Sequence, residues 1–148
     1  MQTRRILFLC TGNYYRSRFA EELFNYHAQR ESLNWHASSR ALALERGTEN
    51  IGPISRFTID ALTDRNITPI GLTRFPIACG IDDFKSADLV IAMKEAEHRP
   101  LINDRFLGWQ DRVTYWHVHD LDAAKPIATI TMIDRLVQDL VRNIQTSF

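Results

Sequence analysis

Arg4-Arg5-Ile6-Leu7-Phe8-Leu9-Cys10-Thr11-Gly12-Asn13-Tyr14-Tyr15-Arg16-Ser17, running on through Ala20-Glu21-Glu22-Leu23-Phe24, is the stretch that decides the fold. Ile6 to Leu9 is a short apolar run of β type, whereas Ala20, Leu23, Phe24, His27 and Ala28 recur at helical spacing. The period changes across one tight segment, so a strand feeds a loop that opens a helix. A thiol, Cys10, stands at the start of that loop, and a guanidinium, Arg16, six positions on. Gly12 and Asn13, residue types that tolerate left-handed backbone, lie between them. A loop wound ahead of a helix N-terminus turns successive N–H groups inward, and the helix dipole adds positive potential. The segment therefore predicts a cradle for an oxyanion.

The side chains of the loop extend that prediction. Donor-rich, electropositive surroundings favour a thiolate, which makes Cys10 a candidate nucleophile. Arg16 offers a planar fork for two equatorial oxygens of a phosphoryl group, which a lysine cannot copy. Ser17 can donate its hydroxyl to the sulfur and cap the following helix. Thr11, Gly12, Asn13, Tyr14, Tyr15, Arg16 and Ser17 are the candidate phosphate-binding residues. A cysteine that ends a buried strand on its own is ordinarily an inert core thiol. Here Cys, five intervening residues, Arg and Ser occur together at a strand-to-helix junction, which favours the reactive reading.

Phe8-Leu9-Cys10-Thr11-Gly12-Asn13, followed by Arg16-Ser17 and Ala20-Glu21, resembles the amino-terminal signature of the low-molecular-weight protein tyrosine phosphatase family, which shares a superfamily with thioredoxin-coupled arsenate reductases. The likeness extends over nearly the whole chain. It implies a hydrolase that cleaves phosphomonoesters, phosphotyrosine in proteins above all, through a phosphocysteine on Cys10. It also implies that Ser39, at the end of the second strand, braces the loop asparagine; without the resemblance Ser39 reads as an ordinary strand-end hydroxyl. Many members carry a second cysteine one residue before the arginine, where this chain has Tyr15, so a protective disulfide within the loop cannot form.

A chain of 148 residues fits one domain spanning 1–148 with a single core. Eighteen basic and eighteen acidic residues leave no general attraction to nucleic acid or an anionic membrane, so any positive potential is local. No secretory pattern or membrane-length apolar run is visible, and the chain reads as cytoplasmic. In that compartment Cys10 and Cys79 are expected as free thiols. No cofactor or metal is implied, and the expected partner is a phosphorylated protein or a small phosphomonoester.

Further along, the pattern predicts a helix over 17–29, a strand over 33–37 ending at Ser38-Ser39, and a long surface loop from Arg40 to Pro53. Ser55 should cap a helix from Arg56 to about Arg65 with Phe57, Ala61 and Leu62 partly inward. Pro69, Gly71 and Pro76 make 67–78 irregular or edge-like. A short helix is expected at Asp82-Asp83-Phe84, a buried strand at Leu89 to Met93, a helix from Lys94 to Arg99 ended by Pro100, and a strand at 113–117. Ile130, Ile133, Leu136, Val137, Leu140, Val141 and Ile144 share one face of a last helix over 129–145. Alternating strands and helices predict an α/β fold: a three-layer domain with a central four-stranded parallel sheet, helices on both faces, and the phosphate-binding loop after the first strand, at the carboxyl edge where ligands bind.

Hydrolysis of a phosphomonoester needs a carboxyl that gives a proton to the leaving oxygen and later takes one from water. The stretch Tyr115-Trp116-His117-Val118-His119-Asp120-Leu121-Asp122 supplies two. In the family the acid is an aspartate followed by proline and aromatics; the resemblance places Asp120 there, with Leu121 for proline and Asp122 as the alternative. Without those aromatics, Tyr14, Tyr15, Trp35 or the 40–52 loop would have to recognise a phosphotyrosine ring, or the substrate is not phosphotyrosine. His117 and His119 suit a metal poorly, because the spacing of the usual motifs is missing; they are expected as partners of loop carboxylates, as modulators of the acid, or simply as exposed residues. Two other activities stay open. An arsenate reductase needs a relay of thiols, but Met93-Lys94 stands where the second cysteine belongs and Cys79 reads as a small buried apolar group. A phosphate- or phosphopeptide-binding module would keep the loop without turnover.

Overall fold

The computed structural model describes residues 2–121 and 124–147. Asp122, the alternative acid, lies outside the described residues. Strand β1 (Arg4–Cys10) pairs in parallel with β2 (Trp35–Ala41) on one side and β3 (Leu89–Ala92) on the other, and β4 (Thr114–Tyr115) completes the order β2-β1-β3-β4. The helices are α1 (Arg16–Arg30), α2 (Arg56–Asp64), α3 (Ile81–Ser86), α4 (Glu95–Arg105) and α5 (Pro126–Thr146), with a 3-10 turn at Leu44–Gly47. This is the expected α/β architecture, a parallel four-stranded sheet between helical layers. Among the described residues no helix is long and apolar enough to cross a membrane.

The unbroken apolar run of β1 is explained by its two covered faces. Successive side chains of a strand point to opposite sides, and here both sides are dry. Ile6, Phe8 and Cys10 enter a core with Phe19, Leu23 and Phe24 of α1, Leu62 of α2, and Ile133 and Val137 of α5. Leu7 and Leu9 enter the opposite core with Phe84 of α3 and Leu101 and Ile102 of α4. The periodic face expected of α5 packs as expected, with Leu136 and Leu140 at its margin. The helix starts a turn earlier than its apolar pattern because Pro126, preorganised for a first helical position, begins it.

Three expectations about the elements are corrected. First, β2 runs to Ala41, in register with Cys10, so the long loop begins later than Arg40. Ala37, Ser39 and Ala41 are small and face the core, and pairing with β1 overrides their weak strand preference. Leu42 and Ala43, expected in that loop, are buried and donate their N–H groups to the carbonyls of Cys10 and Thr11. Second, Pro100 lies inside α4 instead of ending it. The buried Leu101 and Ile102, directly after it, carry the helix past the missing N–H. Third, β4 keeps only Thr114 and Tyr115 of the 113–117 strand, because β3 itself ends at Ala92. The chain then holds on through Trp116 N–H to Ala92 O and Val118 N–H to Met93 O, which carries Asp120 toward the end of β1.

The 67–78 segment is irregular, as expected, and closes the outer edge of β2 through a single bridge between Ala41 and Ala78. It is tied inward by Arg18, a buried side chain that donates to the carbonyls of Pro53, Gly71 and Arg74 at 2.9 Å and of Asn13 at 3.5 Å. One cation thus joins three stretches of loop backbone.

Candidate active site

The loop between β1 and α1 is held open by its asparagine. Asn13 adopts φ 52°, the left-handed region, whereas Gly12 does not. At Gly12 a Cβ would come no closer than 3.4 Å, to the Asn50 amide, so neither backbone angle nor space there demands glycine. Every hydrogen-bonding position of the Asn13 side chain is used. Nδ2 donates to Ser17 Oγ (2.9 Å) and Ser39 Oγ (2.8 Å), and Oδ1 accepts from Arg74 Nη1 and Ile77 N, each at 3.1 Å. Ser39 in turn donates to Glu21 (2.5 Å), which also receives Arg74. The expected contact between Ser39 and the loop asparagine is therefore present, and Glu21 and Arg74 extend it. Among the described residues, the backbone N–H groups of Gly12, Asn13, Tyr14 and Tyr15 donate to no protein group.

Cys10 Sγ lies 2.9 Å from Ser17 Oγ. Because Ser17 already accepts from Asn13, its own hydrogen is left for the sulfur. Ser17 does not cap α1 as expected: the helix starts at Arg16 with Tyr15 as N-cap and no side-chain cap bond. Its hydroxyl is committed to the loop.

Arg16 is 2% exposed and points back beneath the loop. Nη1 donates to Glu97 Oε2 at 3.1 Å and to the Val118 carbonyl at 3.0 Å, and Nη2 donates to Glu97 Oε1 at 2.7 Å. Asp120 Oδ2 stands 3.5 Å from Nη2, and its Oδ1 accepts from Leu121 N. Glu97 also receives the Thr11 hydroxyl at 2.5 Å. Burial alone would raise the Glu97 carboxyl, but hydrogen bonds from His98, Arg16 and Thr11 outweigh it and hold the group well below the usual carboxylate range. His98 is fully buried, and burial lowers its pKa, leaving a neutral ring. Lys94 N donates to its Nδ1, so the ring hydrogen is on Nε2, 3.1 Å from Thr11 Oγ1.

Cys10, Arg16 and Asp120 line one cleft of about 290 Å³, with Gly12, Tyr14, Tyr15, Asn50, Phe57 and Leu121 among the walls. Of the expected phosphate-binding residues, Thr11, Asn13 and Ser17 turn their side chains away from the opening. Tyr15 is buried against Phe57, with ring centroids 6.0 Å apart, and Tyr14 donates its hydroxyl to the Ile51 carbonyl. Phe57, expected partly inward, is 43% exposed at the start of α2 and forms a wall. Trp35 cannot take part in ring recognition, because it begins β2 at the far end of the sheet, beneath Arg4. The His117 and His119 rings meet edge to face at 5.1 Å; His119 Nδ1 is buried and finds no partner among the described residues, so the expected pairing with a carboxylate is not seen there. Cys79 is half-buried against the second core, and burial pushes its thiol up to about 12.

Glu97, His98, Arg18 and Arg74 were not singled out by the sequence. The one available signal was position, since Glu97 and His98 follow directly on the carboxyl end of β3, beside the loop.

The family model described as low molecular weight phosphotyrosine protein phosphatase matches residues 5–146. A protein-arginine-phosphatase of Bacillus subtilis (strain 168) is 32% identical over 108 residues, covering 73% of this chain and 67% of that protein. The crystal structure of a YwlE mutant from Bacillus subtilis matches with a TM-score of 0.78 at 25% identity, over 97% of this chain and 99% of its own. A low molecular weight protein tyrosine phosphatase from Bacillus subtilis, solved in solution, matches with a TM-score of 0.75 at 26% identity, over 96% of this chain and 97% of its own. With a buried arginine behind the loop after β1, and a family match over residues 5–146 of the chain, the chain belongs to the low molecular weight phosphotyrosine protein phosphatase family.

Proposed function

We propose that this protein is a cysteine-dependent phosphoprotein phosphatase whose preferred substrate is phosphotyrosine. The observation that carries the reading is the convergence of Cys10, Arg16 and Asp120 on one cleft whose walls include the aromatic rings of Tyr14 and Phe57. The phosphoryl group sits on the N–H groups of Gly12 to Tyr15, and Arg16 takes two of its oxygens. The Cys10 thiolate attacks phosphorus, the bond to the leaving oxygen breaks, and Asp120 gives that oxygen its proton. Asp120, now a carboxylate, takes a proton from water as the water attacks the phosphocysteine. Inorganic phosphate leaves, and Cys10 is again a thiolate. No step calls on a metal.

Phe57 replaces the aromatics that the segment after Asp120 lacks. With an aromatic contact worth about 0.5–1.5 kcal/mol beyond area burial, Phe57→Ala raises KM for a phosphotyrosine peptide roughly 2- to 10-fold. A phosphoarginine substrate is the second reading, favoured by the name of the 32% identical relative. The two are separated by kcat/KM on matched peptides carrying phosphotyrosine or phosphoarginine. Turnover of phosphoarginine alone overturns the tyrosine preference, and turnover of neither peptide nor of p-nitrophenyl phosphate overturns the enzyme.

A further inference from the structure

An arginine side chain carries five N–H groups, arranged as an end edge formed by Nη1 and Nη2 and a side edge formed by Nε and Nη2. Arg16 uses three of the five inside the protein. Glu97 takes the whole end edge with both carboxylate oxygens, at 3.1 and 2.7 Å, and the second hydrogen of Nη1 goes to the Val118 carbonyl. What remains is the side edge: Nε, which donates to nothing among the described residues, and the outer hydrogen of Nη2, toward which Asp120 stands at 3.5 Å. Asp120 and Arg16 both line the cleft. The edge left unused thus lies beside the carboxylate that must face the leaving atom.

Glu97 does not reach Arg16 by chance of rotamer. Its Oε1 is fixed by the Thr11 hydroxyl, Thr11 accepts from His98 Nε2, and His98 Nδ1 is anchored on the Lys94 N–H. His98 has no exposed surface. The His98 Nε2–H lies between Thr11 Oγ1 at 3.1 Å and Glu97 Oε1 at 3.4 Å, so the carboxylate is held both through Thr11 and by the buried ring itself. A bidentate carboxylate then fixes the plane of the guanidinium as well as its position.

We propose that Glu97 is a positioning residue that holds Arg16 by its end edge, with Thr11 and His98 as its supports, so that the side edge alone meets two equatorial oxygens of the phosphoryl group. This rests on the phosphatase reading, in which Arg16 binds those oxygens. Without Glu97 the guanidinium still attracts a phosphate but rocks about its long axis, so the loss falls on the transition state, where a displacement of about an ångström costs on the order of 100-fold.

The test is a comparison of wild type, Glu97→Ala and Glu97→Gln on p-nitrophenyl phosphate, with tungstate binding and the Arg16 Nε–H resonance followed by NMR in the Cys10→Ser background. Glu97→Ala is expected to lower kcat by roughly 10- to 100-fold with KM changed less than about 3-fold. Glutamine can accept from Nη2 but not from Nη1, so Glu97→Gln falls between the two. With Glu97 in place, tungstate slows solvent exchange of the Arg16 Nε–H; with alanine it does not. Thr11→Val, which loosens Glu97 without removing it, lowers kcat in the same direction and by less, and it serves where Glu97→Ala does not fold. A Glu97→Ala protein with kcat within about 3-fold of wild type, or with tighter tungstate binding and unchanged kcat, overturns the proposal and leaves the phosphatase standing. Wild type that neither turns over p-nitrophenyl phosphate nor binds tungstate overturns both.

Discussion

In the proposed reaction Cys10 supplies an electron pair and Arg16 a shaped charge, so substitutions at the two positions separate bond-making from binding. Cys10→Ser keeps the ring of N–H groups and removes the nucleophile: turnover falls below detection while calorimetry still registers tungstate. Arg16→Lys leaves a compact ammonium where a planar fork stood, and both tungstate affinity and kcat fall. Asp120→Ala slows hydrolysis by about 10²–10⁴-fold, the usual worth of a general acid. The same loss in Asp122→Ala, with Asp120→Ala near wild type, moves the acid by two positions. At this scale the sequence is most legible where the chemistry is local. Cys10, Arg16 and Ser17 fall within eight consecutive residues at one strand-to-helix junction, and Ser39 and Asp120 follow from the family pattern. Glu97 was not legible, because its partner Arg16 lies 81 positions away and only the parallel pairing of β1 with β3 brings them together.

At the scale of elements, Pro100 shows how packing outweighs a local signal. It is exposed, and its missing N–H leaves the Ala96 carbonyl without its helical donor in the second turn of α4. A proline inside a helix costs about 3 kcal/mol relative to alanine, part of which its restriction of the unfolded chain returns. Pro100→Ala therefore stabilises the protein by roughly 1–3 kcal/mol, read as a rise in the urea midpoint at unchanged slope. A lower midpoint would mean that α4 needs the proline. The other misread elements have the same origin. The last residues of β2 are small and polar, and only the register with β1 makes them strand. The end of the 113–117 run looks like strand, but beyond Ala92 it meets the chain only through an isolated antiparallel bridge of His117 with Lys94. Long periodic elements such as α5 were legible because their pattern is itself the record of what they pack against.

For the whole molecule, acid should act first through the cluster behind the loop. Burial lowers the folded-state pKa of His98, so the unfolded chain takes up its proton first, and stability falls as the pH drops below about 6.5. Glu97 adds to this below about 4.3, since its folded-state pKa is lower still and the stability it contributes is present above the unfolded value. Urea midpoints measured from pH 7.5 to 4 should fall, and in His98→Gln the fall between pH 6.5 and 5 should be shallower; equal slopes would remove His98 from the account.

The arrangement of the two cysteines about the sheet has its own outcome. Cys10 packs with the α1 and α5 side of the molecule, Cys79 with the α3 and α4 side, and both are free. Peroxide that reaches Cys10 and makes a sulfenic acid meets no second thiol on its side of the sheet, and Tyr15 offers none beside it. Recovery then depends on whatever thiol the surroundings supply, and the lifetime of activity during an oxidative burst is set by the solution.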